Sequence, residues 1–264
     1  MIYKVKCLVF CICLLALNAK AQEYFKTFDH INIAYSDTGT GLPVILIHGF
    51  ISSGASWNNS ILKQELQKKG FRVIVPDLRG NGESDQPQDA QSYANDAEIK
   101  DLRALADHLK LEKYYAVGYS RGAIVLAKLL TSEPRINKAV LGGMGLDFTI
   151  ADWSRRLMFQ KAFSGEEEPN AVTEGAIDYA KSIGADLKIL SYLQEFQPVT
   201  SKEALQKIRS DVLVIAGDMD KDNGDPKELT QQIPGAILKI VPGSHNETKN
   251  TEAFSGEVMS FLMK

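Results

Sequence analysis

At 264 residues, 44% of them hydrophobic and 24% charged, the chain has enough apolar material to bury one α/β core with room for an insertion. Its formal net charge of −3 and its lack of a basic stripe argue against nucleic acid as a partner. All three cysteines, Cys7, Cys11 and Cys13, lie at the extreme N-terminus, so a thiol nucleophile and a Cys-ligated metal are excluded from the rest of the chain.

Met1 to Ala21 reads as a secretory signal. Lys4 and Lys6 precede an apolar run from Cys7 to Leu17, and Ala19-Lys20-Ala21 supplies small residues at cleavage spacing. Cutting after Ala21 removes three lysines and no acid, taking the formal net charge from −3 to −6. The expectation is an exported protein, periplasmic or secreted, with no stable membrane anchor once the signal is gone. No later stretch approaches the ~20 apolar residues of a membrane-spanning helix.

Alternation of Phe25, Phe28, Ile31, Ile33 and Tyr35 with polar neighbours predicts two short edge strands between Tyr24 and Asp37. Pro43 to Ile47 is an uninterrupted apolar run of the kind buried in parallel sheets, and it ends at His48-Gly49-Phe50. A helix capped by Asn58 or Asn59 and reaching about Lys69 comes next, then a strand from Phe71 to Val75. The loop Asp77-Leu78-Arg79-Gly80-Asn81-Gly82-Glu83-Ser84 leads to a helix from about Tyr93 to Leu109. Strand Tyr114 to Gly118, helix Arg121 to Leu130 and strand Ile136 to Gly142 continue a β-α-β rhythm that implies a mostly parallel, doubly wound sheet of about eight strands.

From about Phe148 to Thr200 the strand signal disappears and only helical patterns remain, marked by Trp153, Phe159, Phe163, Tyr179, Leu193 and Phe196. A helical cap over 148–200, inserted into a core of 22–147 and 201–264, is the expectation; extra helices at one sheet edge is the alternative. Strand Val212 to Gly217, helix Pro226 to Gln232, strand Ala236 to Val241 and a closing helix from about Thr251 to Leu262 complete the alternation.

The chemistry concentrates at Gly118-Tyr119-Ser120-Arg121-Gly122, where a strand turns sharply into a helix. Glycines two residues either side relieve the crowding of such a corner and push the serine outward. The N–H of Arg121 then opens a helix, where free donors and the helix dipole favour negative charge. A serine hydroxyl needs a base, and of the four histidines His245 follows the last strand, at the sheet edge where open α/β sheets build their sites. His30, His48 and His108 sit in an edge strand, after a buried strand and near a helix end. The histidine needs a carboxylate to fix its tautomer; Asp220 fits best, Asp147 is second, and Asp218 is expected to bond local backbone.

These pieces together resemble the α/β-hydrolase family, over essentially the whole chain beyond the signal. Ser120, Asp220 and His245 follow its nucleophile, acid, histidine order. His48-Gly49-Phe50, the Asp77 to Ser84 loop and the insertion before the acid-bearing strand are independent matches. The resemblance implies that Phe50 and Arg121 supply the two oxyanion-binding N–H groups, that His48 is structural, and that Asp77 and Arg79 bond backbone. Arg121 departs from the commonest pattern, an uncharged side chain, and suits either a substrate carboxylate or an internal acid. The implied function is a serine hydrolase of a small ester or related acyl compound, needing no cofactor or metal. A cofactor-free perhydrolase or C–C bond hydrolase on the same triad, or a ligand-binding homologue of low turnover, are the alternatives. A serine at position 120 disfavours the epoxide-hydrolase and dehalogenase branches, whose nucleophile is an aspartate.

Overall fold

A computed structural model describes residues 22–264; the signal-peptide reading of 1–21 lies outside them. The described chain forms an eight-stranded sheet from β1 (Glu23–Lys26), β2 (Asn32–Thr38), β3 (Pro43–Ile47), β4 (Arg72–Pro76), β5 (Tyr114–Tyr119), β6 (Ile136–Gly142), β7 (Asp211–Gly217) and β8 (Ile237–Val241). The helices are α1 (Ile61–Lys68), α2 (Ala97–His108), α3 (Arg121–Leu130), α4 (Ser154–Ser164), α5 (Ala171–Ser182), α6 (Leu187–Glu195), α7 (Lys202–Leu205), α8 (Pro226–Gln232), α9 (His245–Thr248) and α10 (Glu252–Leu262). Strand order is β1-β2-β4-β3-β5-β6-β7-β8. β1 and β2 run antiparallel to their neighbours, and β4 through β8 pair in parallel.

The order contains the point that matters for function. After β3 the chain steps outward to β4, then returns to lay β5 on the other side of β3. Connections therefore leave β3 and β5 toward opposite directions, and a crevice opens at the C-terminal ends of these two strands. His48-Gly49-Phe50 and Ser120 lie at that crevice because they follow β3 and β5 directly.

Both faces of the sheet are covered, which is why its central strands carry apolar side chains at successive positions. Ile45, Ile47, Ala116, Leu141 and Val214 pack beneath α2 and α3, while Val44, Leu46, Val117, Val140 and Ile215 pack toward α1 and α10. Each fully buried aliphatic side chain of this kind contributes about 2 kcal/mol relative to exposure. A third apolar cluster joins α4, α5 and α6 through Phe163, Ile177, Ala180, Ile189, Leu190 and Leu193, and it reaches the core at Ile51 and Tyr93. Between β6 and β7 the described chain is helical with no strand, and its helices pack onto the loops that follow β3 and β4.

Two local expectations need correcting. The N-cap of α1 is Ser60, whose hydroxyl accepts from the Lys63 N–H at 3.2 Å; Asn58 and Asn59 precede it, with Asn58 closing a 3-10 turn. Trp57, the last residue of that turn, is fully buried in the core beside Leu62 and Leu66. In the Asp77 to Ser84 loop, Asp77 accepts from the N–H groups of Gly54 at 2.6 Å and Glu83 at 2.9 Å, as expected. Arg79 does more than bond backbone: fully buried, it grips Asp101 through two contacts of 2.6 Å and reaches Asp29 at 2.9 Å.

Candidate active site

Ser120 sits between β5 and α3 with φ 56° and ψ −127°, a left-handed backbone that a non-glycine residue adopts only under constraint. The constraint comes from its flanks. A Cβ on Gly118 would strike the carbonyl of Gly122, and one on Gly122 would strike the carbonyls of Ile47 and His48. Glycine at both positions thus lets the strand turn into α3 hard against β3. Gly49 closes the other side: a Cβ there would lie 3.3 Å from the Ser120 Cβ and 3.8 Å from its Oγ. Ile51, two residues on, holds φ 48°, a strained value for a β-branched residue and a sign that this turn is fixed by its packing.

His245 opens α9, and its Nε2 lies 2.8 Å from Ser120 Oγ. Its Nδ1 lies 2.7 Å from Asp220 Oδ2. The carboxylate therefore fixes the ring with a proton on Nδ1 and the lone pair of Nε2 toward the serine. Tyr119 supports the same histidine from behind: its hydroxyl donates to the His245 carbonyl at 2.7 Å, and the two rings are 5.6 Å apart. Asn223 approaches Nδ1 at 3.2 Å and donates to the Gly143 carbonyl at 3.3 Å, tying the loop after β7 to the end of β6.

The remaining candidates sort by geometry. Asp218 accepts from the Gly243 N–H at 3.0 Å, the backbone role expected of it. Asp147 packs against Gly224, and the carboxylate on the imidazole is that of Asp220. His48 is buried with Nδ1 donating to the Gly49 carbonyl at 2.9 Å and Nε2 accepting from the Leu78 N–H at 3.0 Å. Burial above all, with the nearby charges of Arg121 and Lys249, depresses it to about 4 against the hydrogen bond to Gly49. Arg121 resolves to the internal pairing: Nη1 and Nη2 meet Glu98 at 2.8 and 2.6 Å, and Nη2 also donates to the Leu193 carbonyl of α6. The Arg121 N–H begins α3 and has no intrahelical acceptor; with Phe50 it lines the cavity over Ser120.

That cavity is small, about 100 Å³, and is walled by Phe50, Ile124, Met144, Trp153 and Phe159 around Ser120 and His245. A larger cleft of about 430 Å³ between the Ile51 to Ser56 segment and α5 contains none of the three converging residues. Among the described residues no group of three or more His, Cys, Asp or Glu is placed to hold a metal. Sequence reasoning missed Tyr119, since the side chain beside an elbow serine has no fixed identity. It also missed Arg155 and Arg156, which line the cavity from α4. Charges in a helix that covers a cavity are indistinguishable in sequence from a solvated face.

Residues 43–174 match the family model described as alpha/beta hydrolase fold. A non-heme haloperoxidase of Rhodococcus erythropolis is 27% identical, over 91% of this chain and 99% of that protein. Epoxide hydrolase 3 of Siraitia grosvenorii is 39% identical over 111 residues, a match that spans 42% of this chain and about a third of that protein, 34%. Among solved structures, an esterase from Exiguobacterium antarcticum superposes with a TM-score of 0.71 at 20% identity, covering 91% of this chain and 99% of that one. The named relatives differ in chemistry while sharing the scaffold. The chain belongs to the α/β-hydrolase fold family and is an enzyme of that class.

Proposed function

We propose that the protein is a serine hydrolase acting on a small ester or related acyl compound. The observation that carries this reading is the continuous chain of contacts from Ser120 Oγ to His245 Nε2 at 2.8 Å and from His245 Nδ1 to Asp220 Oδ2 at 2.7 Å. Ser120 attacks the carbonyl carbon as Nε2 takes its proton; Asp220 holds the ring and stabilises the imidazolium. The N–H groups of Phe50 and Arg121 receive the oxyanion, an interaction worth about 3 kcal/mol of barrier per donor. His245 returns the proton to the departing alkoxide, then activates water to release the acid from Ser120. The small size of the cavity and its wall of Phe50, Ile124, Met144, Trp153 and Phe159 suit a short acyl group.

A fluorophosphonate probe tests the nucleophile directly. Labelling of the wild type that disappears in Ser120→Ala is the expected result; labelling unaffected by that change would overturn the assignment. The haloperoxidase relative supports a second reading, in which hydrogen peroxide replaces water on the same acyl-enzyme and yields a peracid. Peracid formation from an ester and peroxide, lost in Ser120→Ala, separates it from plain hydrolysis.

A further inference from the structure

Three buried side-chain N–H groups with no acceptor among the described residues belong to residues lining the cavity over Ser120: Arg121 Nε, Arg156 Nε and Gln197 Nε2. A donor left unpaired in a buried site is costly, so their gathering at one cavity calls for an acceptor. The charges point the same way. Arg121, Arg155 and Arg156 line the cavity, and no aspartate or glutamate does. Arg121 is neutralised by Glu98, and Arg155 lies 3.3 Å from Asp222 while stacking on Phe159.

Arg156 forms no close ion pair among the described residues; Asp152 and Glu195 act on it only from longer range. Its Nη1 donates to the carbonyls of Gln194 and Glu195 at 2.9 and 3.0 Å, and its Nη2 to that of Ala151. Of the five donors of a guanidinium, Nε–H and one Nη2–H remain. These carbonyl contacts tether α4 to the end of α6 and fix the cation at the cavity wall. Gln197, only 6% exposed, adds a neutral donor from the segment after α6.

We infer that the cavity recognises a substrate carrying a free carboxylate besides its scissile acyl group, the anion meeting Arg156 and Gln197 while the ester carbonyl meets Ser120. The inference rests on the serine-hydrolase reading and names its substrate class: half-esters of short dicarboxylic acids. Specificity of this kind arises because a neutral analogue leaves Arg156 and Gln197 unpaired.

The test compares the monoethyl esters of succinate, glutarate and adipate with ethyl butanoate, pentanoate and hexanoate, in which a methyl replaces the carboxylate. The wild type is expected to favour the half-ester by about tenfold or more in kcat/KM at the best chain length, the size of one charge-assisted contact. Arg156→Leu should cut that preference at least tenfold, Arg156→Lys should keep part of it, and Gln197→Leu should lower it without a change of charge; thermal melts verify that each variant folds. No preference at any length, or a preference that survives Arg156→Leu, overturns the inference and leaves the hydrolase intact. Should no ester be turned over, calorimetry of monoethyl glutarate and ethyl pentanoate on Ser120→Ala decides it independently. Saturable binding of monoethyl glutarate that is lost in Ser120→Ala/Arg156→Leu supports the anion site, and equal or absent binding of the two esters rejects it.

Discussion

The hydroxyl of Tyr119 illustrates how a single side chain sets the position of His245, the base of the proposed mechanism. His245 starts a four-residue helix, whose first turn is closed by the capping box of Ser244 and Glu247. The contact of Tyr119 with the His245 carbonyl at 2.7 Å adds a restraint from the strand that runs directly into Ser120. Tyr119→Phe is therefore expected to lower kcat by about three- to tenfold with KM little changed, since an ångström of drift weakens proton transfer more than binding. Steady-state kinetics on one ester at fixed pH tests it; a rise in KM at constant kcat would assign Tyr119 to substrate contact instead. Serine, aspartate and histidine were legible at this scale because each follows a strand at the same sheet edge. Tyr119 was not, because its function depends on a partner 126 residues away.

At the level of elements, the sheet and the helices that flank it follow from period and punctuation. Strands β3 and β6 and helices α3 and α8 fall where apolar runs and turn residues put them, since burial on both faces leaves one reading of such runs. Helix α9 went unread because four residues give no periodicity. The α4 to α6 segment was legible as helical but not in its facing. Most of α4 is half-buried all round, as expected of a helix set over a cavity rather than against a filled core. Its partner α6 is joined to α3 by Arg121, through the Leu193 carbonyl, and the buried pair with Glu98 is the joint's electrostatic cost. Arg121→Leu strands the Glu98 carboxylate at 4% exposure, so a loss of about 3–5 kcal/mol is expected. Arg121→Leu with Glu98→Leu should regain much of it. Chemical denaturation of the three proteins tests the coupling, and additive losses would show that the pair does not act as a unit.

For the molecule as a whole, acid is the stress that its interior is least equipped to meet. His48 lies at the junction of β3, the loop after β4 and the nucleophile turn, and it is 1% exposed with both ring nitrogens occupied. The charges acting on it are cationic, from Arg121 and Lys249, so a proton on the ring finds burial above all and repulsion besides, and its pKa falls from 6.5 to about 4. In that window the unfolded chain takes up a proton at this position and the native protein does not. Stability contributed by the neutral ring is thus full above pH 6.5 and is lost as pH falls toward 4, by about 3 kcal/mol when complete. Other groups titrate in the same range, so the contribution is isolated by difference. His48→Gln retains an acceptor for the Leu78 N–H and carries no titrating ring. It is expected to be less stable than wild type at pH 7.5 by about 1–2 kcal/mol, from the lost bond to Gly49 and imperfect packing. Urea unfolding repeated at pH 4.5 should close that gap or reverse its sign, because only the wild type still carries the ring and loses about 2–3 kcal/mol with it. A gap that stays constant between the two pH values would mean that His48 is protonated in the native state or accessible to water, and the acid sensitivity would have to be sought in the carboxylates.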